Sequence, residues 1–289
     1  MRWIRRRATG VTTITSSPSR PSTVAVAMRS TPRLTAAILI ATALVALPRA
    51  ASAAKHHFEP TDLNLQDPGR VELDLQVGMA HSAGPWRAVL PDAEINLGLT
   101  NRVEIDVDFA FGIEGRPGHA FTFDHLVTDN VWLATKLGIW DFRDEAAGTA
   151  WAFGLQLGPK LPVGTGTHGL GYEALLLFGR TIRTTHLVLN VGGLVDPGAE
   201  VSRKRPIGVE IGLDLDQDLG RDSPFSILAE VGGIHWFTGD PDQLQVTAGL
   251  QWSPSDSLDL SLSGMVGLPP GSDRFALLLG VSPKARLWE

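Results

Sequence analysis

Val103-Glu-Ile-Asp-Val-Asp-Phe109 alternates apolar and acidic residues without a break, and Ile207-Gly-Val-Glu-Ile-Gly-Leu-Asp-Leu215 keeps the same period. Successive side chains of a β-strand point to opposite faces, so each stretch has one apolar face and one polar or glycine face. Val71-Glu-Leu-Asp-Leu-Gln-Val77, Leu244-Gln-Val-Thr-Ala-Gly-Leu-Gln-Trp252 and Leu258-Asp-Leu-Ser-Leu262 repeat the pattern. No comparable stretch has helical period with caps. The alternation predicts an all-β chain of about twelve strands, near 70–80, 89–99, 103–113, 130–140, 149–158, 171–180, 184–194, 206–216, 224–235, 243–252, 258–268 and 274–282. Strands of about ten residues have the length of a tilted strand crossing a bilayer.

The connections alternate as well. Thr100–Arg102, Arg180–Arg183 and Ser253–Ser257 are short, whereas those around 81–88, 114–129, 159–170 and 195–205 are longer and rich in Gly, Pro and His. An antiparallel transmembrane barrel with both ends in the periplasm has this asymmetry of tight inner turns and longer outer loops. Turns at 141–148 and 217–223 depart from it. A soluble β-sandwich would also alternate. Against it stand the strand length, the nearly unbroken apolar faces, and aromatics near strand ends at Phe109, Phe111, Trp151, Phe225, Trp236 and Trp252, where an interfacial girdle belongs.

The chain has 289 residues and no cysteine, which excludes a disulfide framework and any thiolate metal site. Residues 1–53 hold eight Arg and no acid, which leaves 17 Lys plus Arg against 31 acids from residue 54 onward, a formal −14. That acidic body lacks the basic footprint of a nucleic-acid binder. The head has the order of a secretory signal: basic Met28-Arg-Ser-Thr-Pro-Arg33, apolar Leu34–Leu47, and the small-x-small site Ala51-Ser52-Ala53. A transmembrane anchor is the alternative, but the run is short for a bilayer. The expected organisation is an N-terminal extension and cleaved signal helix over 1–53, a periplasmic tail over 54–69 and a barrel over 70–289. Met28 is a candidate start in place of Met1.

The polar face bears on function. Glu72, Asp74, Glu94, Glu104, Asp106, Asp108, Glu173, Glu210, Asp214, Asp216, Glu230 and Asp259 share the inward phase, with Lys136 and Arg274 as the bases in that phase. If the apolar face meets lipid, these residues line a lumen. There they either form a cation-favouring ring of carboxylates or hold the wall together by ion pairs and hydrogen bonds. Gly78, Gly98, Gly112, Gly138, Gly154, Gly192, Gly208, Gly212, Gly232 and Gly249 share the phase, and either widen the bore or relieve strand curvature.

Gly158-Pro-Lys-Leu-Pro-Val-Gly-Thr-Gly-Thr-His-Gly-Leu-Gly171 resembles the Lys-Leu-Pro-x-Gly loop of the outer-membrane family named for the meta-pathway of phenol degradation. His186-Leu-Val-Leu-Asn-Val-Gly192, Leu228-Ala-Glu-Val-Gly232 and Val246–Leu260 are similar to its later strands and turn. The resemblance runs from about residue 70 onward. It implies a twelve-stranded, porin-like barrel that passes hydrophobic or aromatic compounds inward. The chain departs in its last residues, Arg286-Leu-Trp-Glu289: the terminal aromatic of many such barrels would be Trp288.

Catalytic signals are weak. His56-His57 falls in the tail, His81-Ser82 has no evident third member, and the Gly-rich 164–171 lacks the Gly-Lys-Ser/Thr of a phosphate loop. Arg203-Lys-Arg205 is a basic cluster in an outer loop, either a contact for lipopolysaccharide phosphates or an ordinary solvated loop. The expectation is a non-enzymatic channel or transporter for small-molecule solutes in the outer membrane of a Gram-negative bacterium. It needs no cofactor, metal or nucleic acid. Its partners are outer-membrane lipid and lipopolysaccharide, and the barrel-assembly machinery during biogenesis. The alternative is a barrel with a plugged lumen and a structural, adhesive or lipid-hydrolase role.

Overall fold

The computed structural model describes residues 65–82, 86–116, 122–144, 146–164, 166–199, 205–220, 223–238, 241–268 and 271–288. The signal segment, its cleavage site and the tail up to residue 64 lie outside them. Among the described residues twelve long strands follow one another: β1 (Arg70–His81), β2 (Trp86–Thr100), β3 (Val103–Gly115), β4 (Val131–Asp144), β5 (Thr149–Leu161), β6 (Gly171–Ile182), β7 (Thr185–Val195), β8 (Ile207–Asp218), β9 (Phe225–Trp236), β10 (Gln243–Ser255), β11 (Leu258–Gly267) and β12 (Phe275–Arg286). Each pairs antiparallel with its neighbours in the chain, and β1 closes on β12 from Arg70 opposite Arg286 to His81 opposite Phe275. A short strand, Phe123–Thr128, extends the outer end of β3, and Thr167–His168 pairs with Gly198–Ala199 to tie two outer connections together.

Both described ends of the chain lie with the tight turns 101–102, 183–184 and 256–257, at what is the periplasmic end of such a barrel. The two turns that departed from the expected asymmetry are tighter than the sequence suggested. Alternation continues through Trp140-Asp-Phe-Arg143 and Gln217-Asp218, so β4 runs to Asp144 and β8 to Asp218. In β2, Leu90-Pro91 form a bulge opposite Gln76–Gly78. Proline has no N–H to give the ladder, so it sits where pairing is interrupted. The bulge brings both Val89 and Asp92 to the inner face, each 1% exposed.

The outer face is apolar. Ile211, Leu250 and Leu279 are 55–58% exposed, and Leu213, Val231, Leu262 and Leu277 continue the belt around the wall. An apolar belt on every side is untenable in water and favourable in hydrocarbon, and closure leaves no strand edge to bond with lipid. The protein is an all-β barrel of the outer-membrane kind. Trp151, Phe225 and Trp252 mark the periplasmic interface, with the Phe225 and Trp252 rings stacked 6.3 Å apart. Trp236 does not belong to the girdle: it has inward phase and is buried with Leu194 and Ile234. Its place at a strand end hid its parity.

Ile211→Arg places a cation near the middle of β8 on the lipid face and should cost about 2–4 kcal/mol in refolding into bilayers. Unchanged stability would show that this face does not meet hydrocarbon.

Candidate functional site

The inner face encloses a chamber of ≈ 410 Å³ in the periplasmic half of the barrel. Nine carboxylates line it against three Lys or Arg side chains, so the field inside is negative. Two lysines reach across from the opposite sign. Lys136 Nζ donates to Glu104 Oε1 at 2.8 Å, and Lys284 Nζ bridges Glu72 Oε1 at 3.0 Å and Asp259 Oδ2 at 2.7 Å. Neutral amides serve two more of the carboxylates: Asn96 Nδ2 donates to Asp74 Oδ2 at 3.2 Å and Asn190 Nδ2 to Asp214 Oδ2 at 2.9 Å. On the periplasmic side Leu65, Gln66 and Asp67, just ahead of β1, form the floor. Beyond Leu65 a second cavity of ≈ 510 Å³ lies against the ends of β4–β7, where small inward residues such as Gly138, Ala152 and Gly179 leave room.

The outer half of the lumen has a different character. Trp132, Ala134, Leu175 and Leu177 pack together, as do Ala80, Val89, Met265, Ala276 and Leu278 on the opposite wall. Two buried ion groups tie these apolar layers. Arg87 pairs with Asp273, and Lys160 pairs with Glu173 and, at 3.3 Å, with Asp196. The Lys160 ammonium also stands 5.8 Å from the Trp132 ring centre. Buried charge is tolerated here because each cation has a carboxylate partner.

Of the residues singled out in the sequence, Glu72, Asp74, Glu94, Glu104, Lys136, Asp214, Asp216 and Asp259 line the chamber. Asp106 and Asp108 face inward but are buried, with Asp106 accepting from Gln156 Nε2 at 3.0 Å. Glu230 is buried and Glu210 half-buried on the same face. Arg274 precedes β12 and is exposed, outside the strand wall, and so is not the inward base that its spacing implied. The inward bases that sequence reasoning missed are Arg70, which opens β1 in step with Glu72 and lines the chamber, and Arg87, Lys160 and Lys284. The last three lie beyond the predicted strand ends. Lys160 is in step with Gln156 and Gly158, and Lys284 with Gly280 and Ser282, so extending the alternation would have found them.

The histidines contribute one further arrangement. His235 Nδ1 lies 3.0 Å from the Asp242 carboxylate at the outer rim, and this bond holds the exposed Asp242 below the usual carboxylate range. A hydrolytic centre would also need a hydroxyl on the other ring nitrogen. The nearby Thr238 hydroxyl instead accepts from Ile207 N–H and donates to Arg205 O. His81 stacks edge-on against Trp86. Of the basic loop cluster, Arg203 and Lys204 lie outside the described residues, and Arg205 is exposed.

No protein-family model matches the chain, and no curated protein does. Among solved structures it is similar to the translocator domain of the autotransporter NalP from Neisseria meningitidis, with 13% identity, 87% of this chain and 96% of that one covered, and a TM-score of 0.40. It is similar to outer membrane phospholipase A from Escherichia coli, with 11% identity, 81% and 96% covered, and a TM-score of 0.42. The KdgM porin is a further likeness, at 11% identity, 73% and 98% covered, and a TM-score of 0.40. These are likenesses of barrel architecture.

One titratable group stands in an outer connection. Asp129 is 5% exposed; its N–H donates to Ala110 O, and Oδ1 accepts from Asn130 N–H at 2.6 Å. Burial pushes its carboxyl up to about 7, against the pull of the Asn130 N–H and the Lys160 ammonium. The folded protein therefore holds a proton that the unfolded chain releases near pH 4, and stability falls as pH rises from about 4 to about 7, then levels. Asp129→Asn cannot ionise. The stability gained by this variant should grow across that window and stay constant above it, measured by thermal unfolding in detergent from pH 4 to 8. Parallel curves for the two proteins would show that Asp129 ionises freely in the folded state.

Proposed function

We propose that the protein is an outer-membrane channel or transporter for small solutes, non-enzymatic, with its selectivity set by the acid-lined chamber. The observation that carries this reading is a space of ≈ 410 Å³ enclosed by the strand wall and lined by nine carboxylates against three cations. A barrel serving only as a scaffold has no use for such a space: desolvated carboxylates cost stability unless water or a solute occupies the lumen beside them. Two features give the path an apolar section, the Trp132–Leu175–Leu177 layer and the Leu194–Ile234–Trp236 layer in the outer half. Hydrophobic or aromatic compounds, the solutes that the phenol-pathway resemblance implies, fit that section. The acidic section favours those that carry positive charge. The packed outer half also favours a second reading, a closed barrel with a structural or adhesive role.

The two readings separate in a planar bilayer under a salt gradient. The channel reading expects conductance with a reversal potential on the cation side at low salt, because carboxylates in a narrow bore raise the local cation concentration within a Debye length of about 10 Å at 0.1 M. Asp74→Asn, Asp214→Asn and Asp216→Asn together should weaken that preference, since they remove three of the nine lining carboxylates. Passage of an uncharged aromatic solute should be little changed by them. Anion preference, or silence from correctly folded protein, would reject the acidic channel and leave the closed barrel.

A further inference from the structure

Gln66 precedes the first strand, yet it sits inside the periplasmic mouth with both of its donor groups used. Its backbone N–H donates to Glu104 Oε2 and its side-chain Nε2 to Glu72 Oε2. The other oxygen of each carboxylate is already committed, Glu104 Oε1 to Lys136 and Glu72 Oε1 to Lys284. The two glutamates, from β3 and β1, therefore each offer one oxygen to the chamber, and one residue of the N-terminal segment spans both.

The segment is held in place by its surroundings. Gly69 N–H donates to Gly98 O at 2.8 Å, and Leu287 N–H donates to Gly69 O at 2.7 Å. Asp67 pairs with Arg286 at 3.4 Å. Gly98 is required here, because a Cβ at that position would collide with the carbonyl oxygens of Gln66 and Asp67. Gly69 turns the chain with a φ of 76°, and a Cβ there would strike Trp288. Leu65 rests against Gly138, between the two cavities at the mouth. A second polar group points into the same space. Asn96 is 8% exposed and lines the chamber; its Nδ2 bonds Asp74, while its Oδ1 is buried without a partner.

We propose that Glu72 and Glu104 form a binding site for a small organic cation with two N–H donor groups, and that Gln66 occupies this site as an internal stand-in, closing the periplasmic mouth until such a solute displaces it. The chemistry is that of the contacts already present: two carboxylate oxygens, each without a proton to give, take N–H donors and have nothing to offer an acceptor. An ammonium replaces a neutral amide donor with a charged one, which strengthens both bonds in a chamber of negative field. Asn96 Oδ1 supplies a further acceptor. The proposal rests on reading the lumen as a solute path and names its solute class. Its readout involves no flux, so an inert bore and an empty site give different results.

The test is hydrogen exchange at the Gln66 amide in the full mature chain in detergent, at constant ionic strength. The probes are 1,4-diaminobutane and its uncharged analogue 1,4-butanediol. Without additive the amide should be protected, and saturating diamine should reduce the protection by about tenfold or more, while the diol leaves it unchanged. Glu72→Gln and Glu104→Gln, made separately, each keep an acceptor for Gln66 but remove the charge, so protection should persist and the response to diamine should weaken. Gln66 exchanging as an unstructured residue without additive would overturn the proposal. So would protection that the diamine does not change, or equal effects of diol and diamine.

Discussion

The ladder between β1 and β12 is the contact on which the rest depends. It joins strands about two hundred residues apart in the chain, from Arg70 opposite Arg286 to His81 opposite Phe275, and turns an open sheet into a ring without edges. In hydrocarbon an unpaired backbone N–H or C=O costs several kcal/mol, so closure is the condition for placing these strands in a membrane. Once the ring closes, alternation sorts every strand residue. Ile211, Leu213, Leu250 and Leu279 go to lipid, and Asp74, Glu104, Asp214 and Lys284 go to the lumen.

Sorting alone would leave a stack of like charges, and the strand ends resolve this. Lys284 enters from the periplasmic end of β12 and bridges Glu72 and Asp259. Lys160 enters from the outer end of β5 and meets Glu173 and Asp196. In between, amides of Asn96, Gln156 and Asn190 bond Asp74, Asp106 and Asp214. Carboxylates thus serve in two ways that the alternation could not separate. Some hold the wall, as Glu173 does, and others face the chamber, as Asp74 and Asp216 do. The chamber stays acidic because its cations are fewer, and the outer half is more apolar because Trp132, Leu177 and Leu278 pack into it.

The strand count and the phase of the faces were legible because period two runs through nearly every strand and no other secondary structure produces it. Two features were not. Strand length was underestimated wherever a proline, glycine or charge looked like a turn, as at Gly158-Pro-Lys160 and Pro283-Lys284, and the bases beyond those points disappeared from view. The parity change at Leu90-Pro91 is invisible to a simple count, since a bulge inserts a residue without altering composition. The lodging of Gln66 in the mouth could not be read at all. It depends on a tail of no clear pattern finding two carboxylates brought together by β1 and β3, and on Gly98 leaving space for its backbone.

The chain contains no cysteine, so single cysteines report directly on which face is wet and on the sign of its field. The measurement that bears most directly on this account is the reaction rate of Leu213→Cys, Asp214→Cys and Asp216→Cys, in protein folded in lipid vesicles, with membrane-impermeant cationic and anionic thiol reagents of equal size. The account predicts that positions 214 and 216 react, faster with the cationic reagent, by about tenfold at low salt and less as salt rises, while position 213 stays silent in hydrocarbon. Equal reactivity at 213 and 214, or faster reaction with the anion, would contradict it.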